Sequence, residues 1–246
     1  MNNSKAAPLS EIRANARETM LENPYSPVVV AFLFFMIKFA LTGCSLFFTL
    51  GEDLWMQWAA KIGNLLIDVF IGLFVMGRVK YFTVLCEGKE KASINLLFSA
   101  FRSGPDRVLF ASLFFEGISF VFSIPAFIYS LYYPLSFGKT KEMLIAFAIL
   151  FAGSLCSFLV YIFFMPLYYV MGDFPNMSFS KSLKMSVWLM KGNHLRYLGL
   201  CISLVPLMIL GIVSFGIAFF WISPVLQSAY AHFYLDLINQ KQAKQV

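Results

Sequence analysis

Charge is the scarcest commodity in this chain: Asp, Glu, Lys and Arg together make up 13% of its 246 residues, against roughly a quarter in an ordinary soluble protein. So few charges cannot cover a water-facing surface, and the 59% apolar content with 29 Phe points to lipid as the solvent. Histidine is almost missing too. His194 and His232 stand alone, neither spaced with a second His or Cys, which leaves a zinc site without support. The four cysteines, Cys44, Cys86, Cys156 and Cys201, occur singly with no CxxC pair, and read as small packing residues. No GxSxG, HExxH, phosphate-binding loop or EF-hand pattern occurs. The expectation is therefore no enzyme, no metal and no cofactor. The opening "MNNSKAAPLSEIRANARETMLENPYSP" also lacks the apolar core and small-residue cleavage site of a signal peptide, so nothing is expected to be removed.

What is there is a series of long apolar runs, each near the ~20 residues needed to cross roughly 30 Å of hydrocarbon as a helix. Six are counted, at about residues 28 to 50, 57 to 76, 107 to 130, 142 to 170, 195 to 214 and 215 to 239. The expected fold is an all-α polytopic bundle forming one integral membrane domain over 1–246. It comprises a cytoplasmic amphipathic helix in 1–27, six spans in 28–239 and a short tail, 240–246.

Lys and Arg fall on alternate connections. Lys5, Arg13 and Arg17 precede the first span; Arg78, Lys80, Lys89, Lys91, Arg102 and Arg107 follow the second; Lys181, Lys184, Lys191 and Arg196 follow the fourth; Lys241 and Lys244 close the chain. The opposite side holds only Lys139 and Lys141, with Lys61 just inside the second span. The positive-inside rule then places both termini in the cytoplasm. The net charge of +6 lies beside membrane-facing segments, so its expected partner is anionic lipid headgroups and not nucleic acid.

Two of these basic connections share one plan. In residues 178 to 196, Ser178 is a candidate cap; Phe179, Leu183, Val187 and Met190 recur at helical spacing; Lys181, Lys184 and Lys191 project elsewhere; Gly192 stops the helix and Arg196 opens the next span. In residues 93 to 107, Ser93, then Ile94, Leu97, Phe98 and Phe101, then Gly104 and Arg107 repeat it. Both predict basic helices in the headgroup plane, with Lys181, Lys184, Lys191 and Arg196 facing lipid. A third amphipathic helix, capped by Ser10, is expected before span one.

Charges inside hydrocarbon cost about 2.5–3.5 kcal/mol at mid-span and need a reason. Lys38, Asp68 and Glu116 all fall roughly 12 to 15 Å from the cytoplasmic ends of their spans, and form a candidate intramembrane polar cluster. Each belongs to a polar stripe at helical spacing: Lys38, Thr42, Ser45 and Thr49; Lys61, Asn64, Asp68 and Gly72; Ser112, Glu116, Ser119 and Ser123. Ser223, Gln227, Tyr230 and Tyr234 form a fourth. Such stripes either turn toward a shared interior or serve close helix packing.

Three stretches, "EIRANARETMLENPYSP" at 11 to 27, "YVMGDFPNMSFSKSLKMSVWLMKGN" at 169 to 193 and "GIAFFWISPVLQSAYAHFYLDL" at 216 to 237, resemble an uncharacterised bacterial integral-membrane family, domain of unknown function 975. The stretch around 125 to 160 departs from its pattern. The resemblance implies a multi-pass protein of the cytoplasmic membrane of Gram-positive-type bacteria, and brings no activity with it. The resemblance extends distantly to the membrane portion attached to some glycerophosphodiester phosphodiesterases, whose separate catalytic domain is not expected within these 246 residues.

Two functional expectations follow. One is a non-enzymatic bundle that binds or transports a lipid-like or small amphiphilic molecule along its polar lining. The other is a structural or regulatory subunit that docks on a transporter or envelope enzyme, or on a second copy of itself, through its basic helices.

Overall fold

The computed structural model describes residues 6–23, 25–45, 53–88, 91–133 and 140–243, without the side chains of Cys44 and Ser45. Lys5, Lys89, Lys139, Lys244 and Thr49 lie outside the described residues, which are helical with no strand among them.

Helix α1, Leu9–Glu22, begins after Pro8, whose extended backbone sits at the N-cap, so Ser10 lies inside the helix and does not cap it. Ile12 and Ala16 are buried against the last helix, which turns α1 into a packed strut of the bundle. Helices α2, Ser26–Ser45, and α3, Leu54–Glu87, follow. α3 runs 34 residues because nothing breaks it before Gly88, which takes the left-handed conformation, φ 65°, that ends helices cheaply only at glycine.

A 3-10 turn, Ile94–Phe98, and the short α4, Ser99–Arg102, form the first basic connection. Here Ser93 does cap, accepting from the Asn95 amide at 3.3 Å. The packed residues are Leu97 and Ala100, while Ile94, Phe98 and Phe101 stay partly exposed, with Phe98 and Phe101 edge-on to Phe74. Gly104, at φ 81°, then hands over to Pro105 at the first position of α5, Pro105–Tyr132. α6, Thr140–Phe164, and α7, Leu167–Asp173, are one apolar run divided at Pro166, which has no amide hydrogen to give and crowds the preceding turn.

The second basic connection is α8, Phe179–Met190. Ser178 occupies its N-cap position but its hydroxyl makes no capping bond. The buried face is Ser182, Ser186, Leu189 and Met190, and Val187 and Trp188 are about two-fifths exposed. Of the face expected from Phe179, Leu183, Val187 and Met190, Met190 is buried, Phe179 and Leu183 pack partly buried against the core, and Val187 turns outward, because the small serines let α8 approach its neighbours closely. Lys181, Lys184 and Lys191 are exposed, as their spacing predicts. Helices α9, His194–Val213, and α10, Phe219–Gln242, complete the chain.

Among the described residues, five helical stretches are long and apolar enough to cross a membrane: Ser26–Gly43, Leu54–Glu87, Pro105–Tyr132, Thr140–Asp173 and His194–Val213. The expected sixth, 215 to 239, is α10, which has the length but not the apolar composition. Its polar residues have a physical reason, since α10 is enclosed by α1, α2, α3 and α9 and buries Ser228, Phe233, Tyr234 and Gln240. A helix covered by protein has no lipid to satisfy. The core gathers where α3, α7 and α10 meet, around Met76, Tyr81, Phe82, Met171, Phe233 and Tyr234.

Candidate functional site

The stripes on α3 and α5 meet in antiparallel register. Lys61 Nζ donates to Ser123 Oγ at 3.0 Å, and a Cβ built on Gly72 would strike Ser112 Oγ, so glycine is what permits that approach. Between these two points the helices part around a cavity of about 270 Å³, lined by Lys61, Asn64, Asp68, Glu116 and Ser119. Lys61 also lies over the rings of Phe120 and Phe127, at 5.2 and 4.7 Å from their centroids, which partly compensates a cation taken out of water.

Lys38 is not in this cavity. It is exposed on α2, and its charge reaches both Asp68 and Glu116, as Asp68 reaches Glu116. Among the described residues no ion pair joins Lys38 to either carboxylate. The expected trio is therefore a pair of carboxylates sharing one cavity with Lys61, and a third charge in the space beyond.

That space is a second cavity of about 500 Å³ between α2, α3 and the turn from α9 to α10. Its wall is aromatic, with Phe34, Phe35, Phe219 and Phe220, and its polar groups are Lys38, Arg78 and Ser223. The four polar stripes thus line no common interior: α3 pairs with α5 on one side, and α2 shares Lys38 with Ser223 of α10 on the other. The lower part of the α10 stripe is used in packing, where Tyr234 donates to Asp173 at 2.6 Å and Tyr230 lies against Tyr197.

Arg78 is the residue that sequence reasoning placed elsewhere, as a loop cation. It stands in α3 with its guanidinium carbon 4.0 Å from the centroid of the Phe34 ring. Its Nε is enclosed without a hydrogen-bond partner, and the side chain makes no hydrogen bond or ion pair among the described residues. The uninterrupted helical pattern of Val79, Tyr81 and Phe82 beyond it was the signal that the helix continues.

Two other arginines are fully engaged. Arg107 donates to the carbonyls of Met171, Phe174 and Met177 at 3.1, 2.9 and 3.3 Å, and so ties α5 to the chain leaving α7. Arg196, expected to face lipid, pairs with Asp236 at 2.7 Å and also donates to the Ala7 carbonyl and Asn193. Asp236 in turn accepts from the Ala7 amide at 3.2 Å and from Gln240 at 2.6 Å. His232 Nε2 lies 3.0 Å from Thr19 Oγ1. Cys86 packs against the Ser228 hydroxyl at 3.1 Å. Among the described residues, no group of His, Cys, Asp or Glu is arranged to hold a metal.

Among known proteins, no curated sequence and no solved structure matches this chain significantly. The family model described as "Protein of unknown function (DUF975)" matches residues 6–241. With a match of that extent, from before α1 nearly to the end of α10, the chain belongs to this family of unknown function.

Proposed function

We propose that this chain is a non-enzymatic protein of the bacterial cytoplasmic membrane that holds a lipid-like or small amphiphilic molecule within its bundle, with both termini cytoplasmic. One observation carries the reading: a cavity of about 500 Å³ with aromatic walls and a few polar groups on one side, within the ~300–1,000 Å³ range of small-molecule sites. Its rim is apolar and exposed, Phe35 at 49% and Phe215 at 98%, so a molecule can enter from lipid without crossing water. Lys181, Lys184 and Lys191 are exposed on one connection, where each contributes about 1 kcal/mol of attraction to anionic headgroups.

The test is native mass spectrometry of the gently extracted protein beside Ala31→Phe, which fills the cavity floor. The reading expects an amphiphile retained by the parent chain and lost from the variant. Equal retention by both, or none by either, contradicts it.

A subunit that docks on a transporter or envelope enzyme is the second reading. It draws on α8, where Val187 and Trp188 lie exposed beside the lysines. It expects a protein partner that is lost on Trp188→Ala, with the cavity irrelevant to the interaction.

A further inference from the structure

The polar side of this cavity is cationic throughout. Arg78 and Lys38 both line it, with the Ser223 hydroxyl between uncharged walls. Asp68 and Glu116, which Lys38 reaches only at a distance, line the other cavity, and neither forms an ion pair with Lys38 or Arg78 among the described residues. Arg78 is half-buried with its Nε enclosed, and a guanidinium in so apolar a setting favours an anion that its donors can reach. The Phe34 face offers attraction to the charge, but no lone pair in the guanidinium plane, and Nε is left without an acceptor. The planar donor fork matches phosphate oxygens two at a time.

The mouth adds a second, independent observation. The turn after α9 closes with the Gly216 amide donating to the Gly211 carbonyl and the Phe215 amide to the Ile212 carbonyl, both at 3.0 Å. In this helix-ending pattern the left-handed residue is usually glycine. Here it is Phe215, at φ 52°, a conformation that costs a side-chain-bearing residue about 1–2 kcal/mol. Its ring is 98% exposed at the cavity rim. An aromatic kept in strained backbone at the edge of a cationic, aromatic-walled cavity has a role as the lip over an acyl chain.

We propose that this cavity holds the phosphate headgroup of an anionic membrane lipid, with Arg78 and Lys38 on the phosphate oxygens and the acyl chains leaving between Phe35 and Phe215 into the bilayer. This rests on the amphiphile reading above and gives it a headgroup class. The occupant is a lipid because the charged floor and the lipid-facing apolar mouth belong to one cavity; a free anion would leave the mouth without purpose.

The experiment reconstitutes the full chain in nanodiscs of equal phosphatidylcholine and phosphatidylglycerol, extracts it gently, and identifies the retained lipid by native mass spectrometry. The parent chain is expected to retain phosphatidylglycerol at least about tenfold over phosphatidylcholine. Arg78→Gln should abolish that preference, and Arg78→Lys should keep part of it. Changing Lys181, Lys184 and Lys191 together to Gln should leave it intact, which separates the cavity from the basic surface. Ser223→Asp provides its own anion and should expel the lipid while keeping Arg78 and the fold, so the inference stays testable if Arg78→Gln does not fold. Equal retention of the two lipids overturns the headgroup inference and spares the amphiphile reading. No retained lipid overturns both. Displacement of the lipid by millimolar inorganic phosphate alone overturns the lipid assignment in favour of a free anion.

Discussion

Lys61 of α3 donates to Ser123 of α5 at 3.0 Å, one end of a seam whose other end is the close approach of Gly72 to Ser112. Between them lie Asp68 and Glu116. Lys61 is the cation lining that cavity, so Lys61→Met is expected to destabilise the protein by about 1–3 kcal/mol. Adding Ser123→Ala should cost little beyond Lys61→Met alone, since the hydroxyl's partner across the seam is then already gone. Thermal unfolding of the two single variants and the double in one detergent measures the coupling. Strict additivity would mean that the Lys61–Ser123 hydrogen bond contributes nothing to the seam.

The Arg196–Asp236 pair, with side chains 21% and 14% exposed, fastens the start of α1 to α9 and α10. Asp236→Ala is expected to cost about 2–4 kcal/mol, somewhat below a fully enclosed pair broken on one side, and to release the segment around Ala7. Limited proteolysis should then cut before α1 at a rate well above the parent's. An unchanged cleavage rate would mean that packing of Ile12 and Ala16 alone docks this helix.

Glycines separate close packing from mere permissiveness. A Cβ on Gly77 would lie 1.9 Å from the Leu97 carbonyl oxygen, a backbone atom that cannot turn aside, whereas one on Gly43 meets nothing within 4 Å. Gly77→Ala should therefore lose about 1–3 kcal/mol, and Gly43→Ala should be neutral or gain up to about 1 kcal/mol of helix propensity. Midpoints of unfolding compare the pair directly; equal shifts would contradict the packing of α3 against the first basic connection.

Phe215→Gly removes the left-handed strain in the turn from α9 to α10. The variant is expected to be about 0.5–1 kcal/mol more stable and to bind amphiphiles less well, a gain and a loss in one change. A variant that unfolds earlier would show that the ring is needed for the fold.

Sidedness is tested by single cysteines at Lys141 and Lys184 in a cysteine-free background. The skew of Lys and Arg predicts that an impermeant thiol reagent reaches Lys141→Cys from outside the cell and Lys184→Cys only after lysis. Both labelled from one side would contradict the proposed topology.

The α3 and α5 stripes were legible in the sequence because a helical period of four and three residues marks one face, and polar faces in lipid need partners. Which stripes meet was not. Lys38 was grouped with Asp68 and Glu116 by depth and by the polar stripe each belongs to, yet the rotation of α2 about its axis, which neither signal fixes, places it in another cavity. Arg78 was missed because falling hydropathy was read as the end of a span, although α3 continues nine residues further into a protein-packed core. Arg196 was assigned to lipid since its partner lies 40 residues away on another helix, a distance across which no local pattern speaks. Residues 215 to 239 were counted as the sixth span on length and apolar content, and the polar residues of α10 are those of a helix sheltered by its neighbours.

Whether a bilayer amphiphile occupies the cavity beside Arg78 is read most directly by cross-linking the membrane-embedded protein with a phospholipid carrying a diazirine in its acyl chain, then mapping the modified residues by mass spectrometry. The predicted result is saturable labelling concentrated in residues 34–38 and 215–223, suppressed by excess unlabelled phosphatidylglycerol and by Ser223→Asp. Labelling that simply follows exposure, strongest on α6 at Phe147 and Phe151, which are 61% and 73% exposed, and indifferent to competitor would contradict it.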